Sequence, residues 1–591
     1  MATASHNTRL TVVFSCLAVS FLYLLLRLAY LQVFRSSDLH HRAALQHQLT
    51  VELPPARGTI YDRRMTVLAH SLQTDSVYAT ANHIEHRDKP VVARRLAQAL
   101  SLPTASVLAR LQRDKGFIWI ARRISPEQAA RVQALRLPNI EFVKESKRFY
   151  PGGSLASHVI GVAGIDNRGL EGMELVCDTL LRGQEGYRAS LRDGKGRFLP
   201  GQWERMVEPV NGHDVVLTID AMIQHIAERE LDRAFRSSHA IGGTIIVMDP
   251  HTGDILAMAN RPTYDLNAPS RVDAGRRRNR AITDMLEPGS VFKVITASAL
   301  LTERLVGLNE RFYCENGEFR IPGGPPLHDH RPHGWLTFRE VIALSSNIGT
   351  AKAAWRLTPQ QLYEYVRRFG FGTPTGIELP GETAGMVHPP ARWSKRSPSM
   401  IPIGQEVGVT PIQLAAAFSV LANGGHAVRP HLIKEIRDTS GAVLPAASVA
   451  TPPAQQVIPA EISQTLRDIM ASVVEEGTGK KAAVPGYSVG GKTGTAQKLD
   501  PDGRYSHSKF IASFTGCAPA AHPALVIVVM LDEPHPVYYG GEVAAPVFAA
   551  VAREVLPYLD VPPDRPVTAP ATALTKTKPL ALPAGGAGTP R

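Results

Sequence analysis

The chain has 591 residues, of which 44% are hydrophobic and 20% are charged. This composition excludes wholesale disorder, collagen-like repeats and a transporter with many membrane helices. Lys and Arg outnumber Asp and Glu by 65 to 53. This excess is spread along the chain without a nucleic-acid-binding motif, so we expect no nucleic-acid partner. At about 100–200 residues per domain, the length predicts two to four domains.

The N-terminal segment predicts a membrane anchor. Residues Leu10–Phe34 are predominantly apolar, carry no charge apart from Arg27 and exceed the ~20 residues that a membrane-spanning helix needs. A cleaved signal peptide is the alternative, but the apolar core is long and no small-residue cleavage site follows it, so we expect an uncleaved anchor. The flanking charges, Arg9 before the span and Arg35 and Arg42 after it, do not set its orientation by the positive-inside rule.

Two regions follow the anchor. From about residue 50 to 205, short strand-like runs alternate with helical ones and no catalytic constellation appears, so we expect a scaffold or interaction domain. From Asp214 the pattern changes, with strands near both ends of the region around a helix-rich middle. The predicted strands are Asp214–Ile219, Thr244–Met248, Ile255–Ala259 and Ala524–Leu531, and the flanking helices are Ala221–Ala234 and Ala545–Leu556. This pattern indicates an α+β domain with helices packed on a mainly antiparallel sheet.

The first of three short motifs is Ser290–Lys293 (SVFK), which follows a Glu-Pro-Gly turn. Because Val291–Leu305 has a helical pattern, Ser290 is predicted at a helix N-terminus with Lys293 on the same face. That spacing suits a nucleophilic hydroxyl with a proton acceptor one turn away, and the N–H groups of the helix start suit an oxyanion. A second Ser-x-x-Lys sequence, Ser506–Lys509, lies in a loop-like stretch, and we interpret it as accidental.

The other two motifs are Ser345–Asn347 (SSN), just beyond the helical run Phe338–Leu344, and Lys492–Thr495 (KTGT). A hydroxyl and an amide that face a cleft can relay a proton and hold a peptide carbonyl. In the third motif, a strand edge lets a substrate lie along the backbone as an added strand. There Gly494 removes the side chain that would block the substrate, and Lys492 supplies a cation for a carboxylate. Each motif alone is a weak signal.

Together, and in this order, the three motifs form a strong signal. They resemble the Ser-x-x-Lys, Ser-x-Asn and Lys-Thr-Gly set of serine penicillin-recognising enzymes. From the anchor to about residue 557 the chain is similar to the class B penicillin-binding proteins. Further stretches that carry this resemblance are Arg57–Arg63, Gly169–Glu174, His333–Trp335, Val409–Pro411 and Tyr539–Gly541. Nothing like the glycosyltransferase module of the class A relatives appears in the sequence.

The resemblance implies a peptidoglycan D,D-transpeptidase, with stem peptides as substrates and β-lactams as covalent inhibitors. Ser290 would attack the penultimate carbonyl of a D-Ala-D-Ala donor, Lys293 would take its proton, and Ser345 would pass a proton to the leaving amine. The backbone N–H groups of Ser290 and Thr495 would form the oxyanion hole. The residues carried over are Ser290, Lys293, Ser345 and Lys492 as catalytic groups, and Asn347, Thr493, Gly494 and Thr495 as groups that bind the donor peptide and its carboxylate.

The resemblance also implies a layout and a cellular role. We expect a short cytoplasmic segment (1–9), a transmembrane anchor (10–34), an elongated pedestal of the dimerisation type (35–205), a transpeptidase domain outside the cytoplasmic membrane (206–560) and a disordered Pro/Ala-rich tail (561–591). The Ser-Ser-Asn motif and the overall length resemble the septal enzymes of cell division. A membrane-embedded glycan polymerase and division proteins would then be partners. One departure is Glu406, where many relatives have a smaller or apolar residue.

Three alternative functions stay open on the sequence. An elongation-specific transpeptidase belongs to the same class. A D,D-carboxypeptidase or β-lactamase uses the same three motifs with water as the acceptor, but such enzymes normally lack a long pedestal behind a membrane anchor. A non-enzymatic β-lactam sensor is disfavoured because all three motifs are intact.

A metal site is a further possibility for one loop. His328, Asp329, His330 and His333 are close enough in sequence to suggest metal ligands. Prolines make this stretch an extended loop, however, and no further ligand stands out. The four cysteines contain no Cys-x-x-Cys pair, so neither a zinc site nor a disulfide framework is indicated. We therefore expect neither a metal nor a cofactor.

Overall fold

The structure is a computed structural model that describes residues 2–39, 48–113, 115–192, 198–269, 272–321, 324–444, 455–500 and 502–566. The N-terminal helix spans Ala2–Ala29 and continues as one π-helical turn over Tyr30–Phe34. Its segment Thr8–Phe34 has a mean hydropathy of 2.2. Among the described residues it is the one helix long and apolar enough to cross a membrane. The predicted apolar anchor is therefore a continuous helix.

The region after the anchor contains two sheets and a helical layer. Three antiparallel strands form the first sheet: Gln48–Leu53, Gly186–Arg192 and Phe198–Val207. The second sheet has six strands: in order, Ile433–Arg437, Asp214–Leu217, Ile60–Tyr61, Val67–Ala79 and Ile118–Ile124, with Ile140–Phe149 also paired to the fourth. Around a small core, this sheet packs against helices Lys89–Leu100, Thr104–Leu111 and Pro126–Ala134.

The six-stranded sheet joins the two regions of the chain. Ile60–Tyr61 pairs in parallel with Asp214–Leu217, which pairs in antiparallel with Ile433–Arg437. The sheet thus combines four strands from before the expected junction at residue 205 with two from after it. The apolar packing is shared as well, because Ile60 and Phe292 are both fully buried members of one hydrophobic cluster. The pedestal and the C-terminal region are therefore packed against each other through a common core.

A buried ion network explains two of the stretches that carried the resemblance. Arg57 Nε donates to Glu174 Oε2 and Arg148 Nε donates to Glu174 Oε1, each at 2.6 Å. Arg57 Nη1 also donates to Asp178 Oδ1 at 2.6 Å. The side chains of Arg57 and Glu174 are wholly inaccessible to solvent. The network ties the start of the pedestal to the Gly169–Glu174 segment, so these charges have a structural function.

A five-stranded antiparallel sheet forms the centre of the C-terminal region. Its strands are, in order, Ile255–Arg261, Gly242–Met248, Leu525–Asp532, Tyr505–Ala518 and Gly490–Leu499. Because successive side chains of a strand point to opposite faces, Ile245 packs with helices Ala221–Ser237 and Ala545–Tyr558, whereas Ile246 packs with the helical layer on the other face. This is the expected α+β architecture with helices on an antiparallel sheet.

The helical layer that faces Ile246 also forms the wall opposite the edge strand Gly490–Leu499. Its longer helices are Lys293–Thr302, Phe338–Ala343, Asn347–Ala354, Pro359–Arg368, Pro411–Ala422 and Ala460–Glu475. Two short strand pairs complete it, Arg311–Tyr313 with Trp335–Thr337 and Glu318–Phe319 with Leu327–His328. Four- and five-residue helices occur at Ser157–Ile160, Gly172–Val176, Asp178–Leu181, Ala274–Arg277, Arg280–Thr283, Ser397–Met400 and Gly540–Val543.

The structure differs from two expected boundaries. The division at residue 205 falls inside strand Phe198–Val207, so it does not separate structural units. The disordered tail expected over 561–591 is wrong for its first residues. Tyr487 Oη donates to Val561 O at 2.8 Å, and Ser488 N donates to Asp564 Oδ1 at 2.7 Å. These hydrogen bonds hold residues 561–566 against Tyr487 and Ser488, and residues 567–591 lie outside the described residues.

Candidate active site

Ser290 lies on a 3-10 turn, Gly289–Phe292, that runs directly into the α-helix Lys293–Thr302. The turn begins at Gly289 with a φ of 54°, a conformation that favours glycine. Gly289 N donates to Gly404 O at 3.0 Å. The two residues after Ser290 are fully buried, whereas Ser290 itself is partly exposed. The hydroxyl therefore lies at the start of a helix, as predicted, on a firmly packed turn.

Lys293 is fully buried beneath the second motif. Its Nζ donates to Ser345 O at 2.6 Å, to Asn347 Oδ1 at 2.7 Å and to Ser345 Oγ at 3.2 Å. Burial lowers the pKa of Lys293 to about 7, against the opposing effect of the nearby Asp329 carboxylate. In the described part of the chain, Ser290 Oγ makes no hydrogen bond. The first two motifs are thus joined through Lys293, and its amine has the basicity that a proton acceptor needs near neutral pH.

Ser345 lies between two short helices, Phe338–Ala343 and Asn347–Ala354. Its φ of 64° is in the left-handed region, which is uncommon for residues other than glycine. Ser345 Oγ accepts hydrogen bonds from Lys492 Nζ at 2.8 Å and from Lys293 Nζ at 3.2 Å. The hydroxyl therefore bridges the lysines of the first and third motifs, a position suited to passing a proton between them.

Lys492, predicted to supply a cation for a substrate carboxylate, is buried in the structure. It is fully buried in the edge strand Gly490–Leu499 and its Nζ contacts Ser345 Oγ and, at 3.3 Å, Thr493 O. Burial lowers the pKa of Lys492 well below its ordinary value, and the positive charge of Lys293 lowers it further. Lys492 thus contacts Ser345 Oγ from the protein interior and not from the exposed surface of the cleft.

Asn347 makes contacts within the protein that the sequence did not indicate. Its Oδ1 accepts from Lys293 Nζ at 2.7 Å, and its Nδ2 donates to His328 O at 2.7 Å. Both ends of the amide are therefore held in place. The structure shows Asn347 fixing Lys293 and the loop that carries His328, in addition to any contact that it makes with a peptide.

The two threonines of the third motif are held by neighbouring segments. Thr493 Oγ1 lies 2.7 Å from Thr478 Oγ1, and Thr495 Oγ1 accepts from Gly540 N at 3.1 Å. The segment that contains Gly540 packs against the edge strand, so its backbone fixes the Thr495 side chain. Thr478 lies in the short connection between helix Ala460–Glu475 and the 3-10 turn Lys480–Ala482, outside the motif. The motif alone therefore could not identify it.

Gly494 has a packing reason in addition to the predicted one. A Cβ atom at this position would lie 2.8 Å from Val291 Cγ2 and 3.0 Å from Pro288 O, and it would also collide with Ser513 Oγ. These atoms belong to the turn that carries Ser290 and to the neighbouring strand. The glycine therefore lets the edge strand approach the Ser290 turn closely, a packing role that the sequence did not indicate.

The loop proposed as a possible metal site has other contacts. Asp329 Oδ1 accepts from Asn347 N at 2.5 Å, and Asp329 Oδ2 accepts from Ser346 Oγ at 2.6 Å. The ring of His330 lies 4.8 Å from that of Tyr539, which projects from the sheet side of the site. Among the described residues, no group of three or more His, Cys, Asp and Glu side chains is arranged to hold a metal.

The second Ser-x-x-Lys sequence lacks the features of the first. Ser506 lies at the start of strand Tyr505–Ala518 rather than in the expected loop, and its Oγ accepts from the backbone N–H groups of Ser508 and Lys509. Lys509 Nζ pairs with Asp500 Oδ1 at 3.0 Å on the protein surface. The geometry agrees with the interpretation of Ser506–Lys509 as accidental.

The arrangement has the parts of a serine acyltransferase. A partly exposed hydroxyl at a helix start lies on the same short segment as a buried lysine of low pKa. A second hydroxyl bridges that lysine to another buried lysine on an edge strand. Together, the fold and this site define the class of serine penicillin-recognising enzymes.

Comparison with known sequences and structures gives the family. The penicillin-binding protein transpeptidase domain matches residues 243–553, and the penicillin-binding protein dimerisation domain matches residues 52–217. The chain therefore belongs to the class B penicillin-binding proteins, and it is a transpeptidase of that family.

Individual relatives match over nearly their full length. The chain is 36% identical to "Probable peptidoglycan D,D-transpeptidase PenA" of Neisseria meningitidis, over 96% of this chain and 95% of that protein. It is 34% identical to the peptidoglycan D,D-transpeptidase FtsI of Escherichia coli, over 94% and 92%. The crystal structure of penicillin-binding protein 3 of Mycobacterium tuberculosis, complexed with ampicillin, is 30% identical and superposes with a TM-score of 0.69, covering 88% of this chain and 99% of that one.

Proposed function

We propose that this protein cross-links peptidoglycan stem peptides through an acyl-enzyme on Ser290, and that it does so at the division septum. The observation that carries the chemistry is the buried Lys293, whose pKa is lowered to about 7 by burial and whose Nζ lies 3.2 Å from Ser345 Oγ. The three motifs are brought together at that point. The septal role is supported by the likeness to FtsI and by the Ser-Ser-Asn form of the second motif.

In the proposed acylation step, Ser290 Oγ attacks the carbonyl carbon of the penultimate D-Ala while neutral Lys293 takes the hydroxyl proton. The backbone N–H groups of Ser290 and Thr495 stabilise the oxyanion. The C–N bond to the terminal D-Ala then breaks, and the leaving amine takes a proton through Ser345. An amine of a second stem peptide attacks the resulting ester, which forms the cross-link and returns Ser290 to its hydroxyl form.

The donor peptide is proposed to lie along the edge strand Gly490–Leu499. This strand pairs on one side with Tyr505–Ala518, and no other described strand pairs with its other side. A peptide added there gains backbone hydrogen bonds, as in other strand-addition complexes. Thr493 and Thr495 would bind the terminal carboxylate, and Asn347 would hold the donor from the opposite wall.

Trapping with labelled penicillin tests the catalytic proposal. The full-length protein is expected to form one stable adduct on Ser290 and to release it slowly. Rapid release with hydrolysed product would indicate a β-lactamase. D-Ala release from stem peptides without cross-linked product would indicate a carboxypeptidase, and binding of penicillin without turnover of any stem peptide would indicate a sensor.

The septal assignment is tested by depletion of the protein in its own host. Loss of a septal transpeptidase should block division and give filaments or enlarged undivided cells. Cells that instead round up and keep dividing would replace the septal assignment with the elongation-specific one and leave the chemistry at Ser290 unchanged.

The proposed substrate also determines on which side of the membrane the enzyme domain is expected. The protein is a single-pass membrane protein by its one apolar N-terminal helix and its family. We propose that the residues after this helix lie outside the cytoplasmic membrane, where the stem peptides are. The helix and the pedestal would there contact a membrane-embedded glycan polymerase and division proteins.

A further inference from the structure

Asp329 contacts the second motif at several atoms. Its Oδ1 accepts from Asn347 N at 2.5 Å and from Ile348 N at 3.0 Å, and its Oδ2 accepts from Ser346 Oγ at 2.6 Å. Asp329 and Ser346 are 17 residues apart in sequence. One carboxylate therefore fixes three consecutive residues of the helix start that follows Ser345.

These contacts exceed what the helix end requires. Helix Asn347–Ala354 already has an N-cap, because Ser346 Oγ accepts from Gly349 N at 2.9 Å. Asp329 satisfies further N–H groups and also holds the capping hydroxyl itself. The residue just before the cap, Ser345, has its φ at 64°. A strained conformation of this kind persists only when its surroundings determine it, and Asp329 supplies that constraint from outside the helix.

The charge of Asp329 also acts on the site. Lys293 is buried beside Lys492, and the other groups that influence it among the described residues are Asp329 and the Cys314 thiol. Asp329 carries the negative charge of this set, and it raises the pKa of Lys293 against the lowering effect of burial. The same carboxylate thus fixes the backbone of the second motif and raises the basicity of Lys293 in the first motif.

We propose that Asp329 is a positioning residue for acylation, which holds Ser345 Oγ and Asn347 Oδ1 at Lys293 Nζ and partly balances the buried charge of Lys293. This inference rests on the proposed roles of Ser290 and Lys293. It assigns to Asp329 a function in the reaction, in place of the metal-ligand function that its sequence neighbours suggested.

The test compares three variants of the full-length protein in detergent: Asp329→Asn, Asp329→Glu and the control Asp220→Asn. Asp220 is also a buried helix-capping carboxylate, which accepts from Met222 N and Ile223 N, but it caps helix Ala221–Ser237 on the other face of the sheet. The rate of acylation by fluorescent penicillin is measured from pH 5 to 9, with the melting temperature of each variant as the check on folding.

Asp329→Asn is expected to slow acylation by about 100-fold, since small displacements of reacting groups cost rates of this order. Its half-maximal rate should also move to lower pH, because loss of the negative charge lowers the pKa of Lys293 further. Asp329→Glu keeps the charge on a longer arm, so it should be slowed by about tenfold with the wild-type pH dependence. Asp220→Asn should lose stability and keep both the rate and the pH dependence.

The inference is overturned if folded Asp329→Asn is acylated within twofold of the wild-type rate, or if it is slowed without any change in the pH dependence. If Asp329→Asn does not fold, Asp329→Glu decides, because a wild-type rate for that variant would show that the position of the carboxylate is unimportant. A wild-type protein that forms no adduct at Ser290 would overturn the proposed function and this inference with it, whereas the outcomes above overturn the inference alone.

Discussion

Lys293 Nζ and Lys492 Nζ contact the same oxygen atom, Ser345 Oγ, at 3.2 and 2.8 Å. Both lysines are fully buried. Two ammonium ions held this close and away from water repel each other and lose their hydration, so the pair favours the loss of a proton. One of the two amines is thereby neutral near neutral pH and can accept a proton.

The rate of acylation should follow the titration of Lys293. Its pKa is lowered to about 7 by burial. Below that pH the amine is protonated and cannot accept the Ser290 proton, so the rate should fall as the pH decreases from 8 to 6. Lys293→Ala should slow acylation by at least about 100-fold at every pH. The measurement is the second-order rate constant with fluorescent penicillin, and a constant rate between pH 6 and 8 would contradict the proposed base.

Ser290→Ala should abolish covalent labelling by penicillin while the protein stays folded, because only the hydroxyl nucleophile is lost. The matched control is Ser506→Ala, which changes the serine of the other Ser-x-x-Lys sequence and should leave labelling intact. Intact-protein mass spectrometry distinguishes the two variants. A penicillin adduct on the Ser290→Ala protein would show that another residue is the nucleophile.

Gly494→Ala should damage both stability and acylation. The new methyl group would lie 2.8 Å from Val291 Cγ2 and 3.0 Å from Pro288 O, which forces the edge strand away from the Ser290 turn. Overpacking of this kind costs about 1–3 kcal/mol of unfolding free energy. Gly307→Ala is the control, because a Cβ there meets no atom within 4 Å. The melting temperature and the acylation rate are measured together, and equal values for the two variants would refute the packing explanation.

Glu174→Gln should destabilise the pedestal by about 3–5 kcal/mol, since it leaves the buried guanidinium of Arg148 without its carboxylate and weakens the site of Arg57. Glu85→Gln is the control within the same region. The Glu85 side chain is 62% exposed and pairs with Arg87, so its loss should change the stability by less than about 1 kcal/mol. Urea denaturation gives both values, and a small effect of Glu174→Gln would show that the network contributes little.

Reporter fusions test the orientation of the membrane helix. A reporter that is active only outside the cytoplasm should be active when fused after Phe34 and when fused after Leu556. The flanking charges do not favour this orientation, so the expectation depends on the proposed substrate. Activity of a cytoplasmic reporter at either position would contradict both the topology and the substrate.

The sequence was sufficient to predict the fold class and the order of the main elements. Sequence patterns placed three of the five strands of the catalytic sheet to within about two residues; one of them, expected over Ala524–Leu531, spans Leu525–Asp532. Strand Tyr505–Ala518 was missed, because its first residues were interpreted as part of a loop-like stretch. The three motifs also identified residues that meet in space, because Lys293, Ser345 and Lys492 are in direct contact. Local patterns and spacing carry this information.

The contacts between distant segments could not be predicted. Asp329 reaches Ser346 across 17 residues, and nothing in its local sequence distinguishes a capping carboxylate from a metal ligand. The burial of Lys492 was missed because a lysine in a strand is usually exposed. The left-handed conformation of Ser345 was missed because only glycine signals such a position in sequence. Each of these features depends on tertiary packing rather than on the local chain.

The strand pairing between the pedestal and the catalytic region has a consequence for cooperativity. Strand Asp214–Leu217 has Ile60–Tyr61 on one side and Ile433–Arg437 on the other. A fragment that began after residue 213 would expose a free strand edge and the apolar surface that Ile60 covers, which together favour aggregation. The two regions should therefore melt in a single transition, and the soluble minimal enzyme should have to include the pedestal.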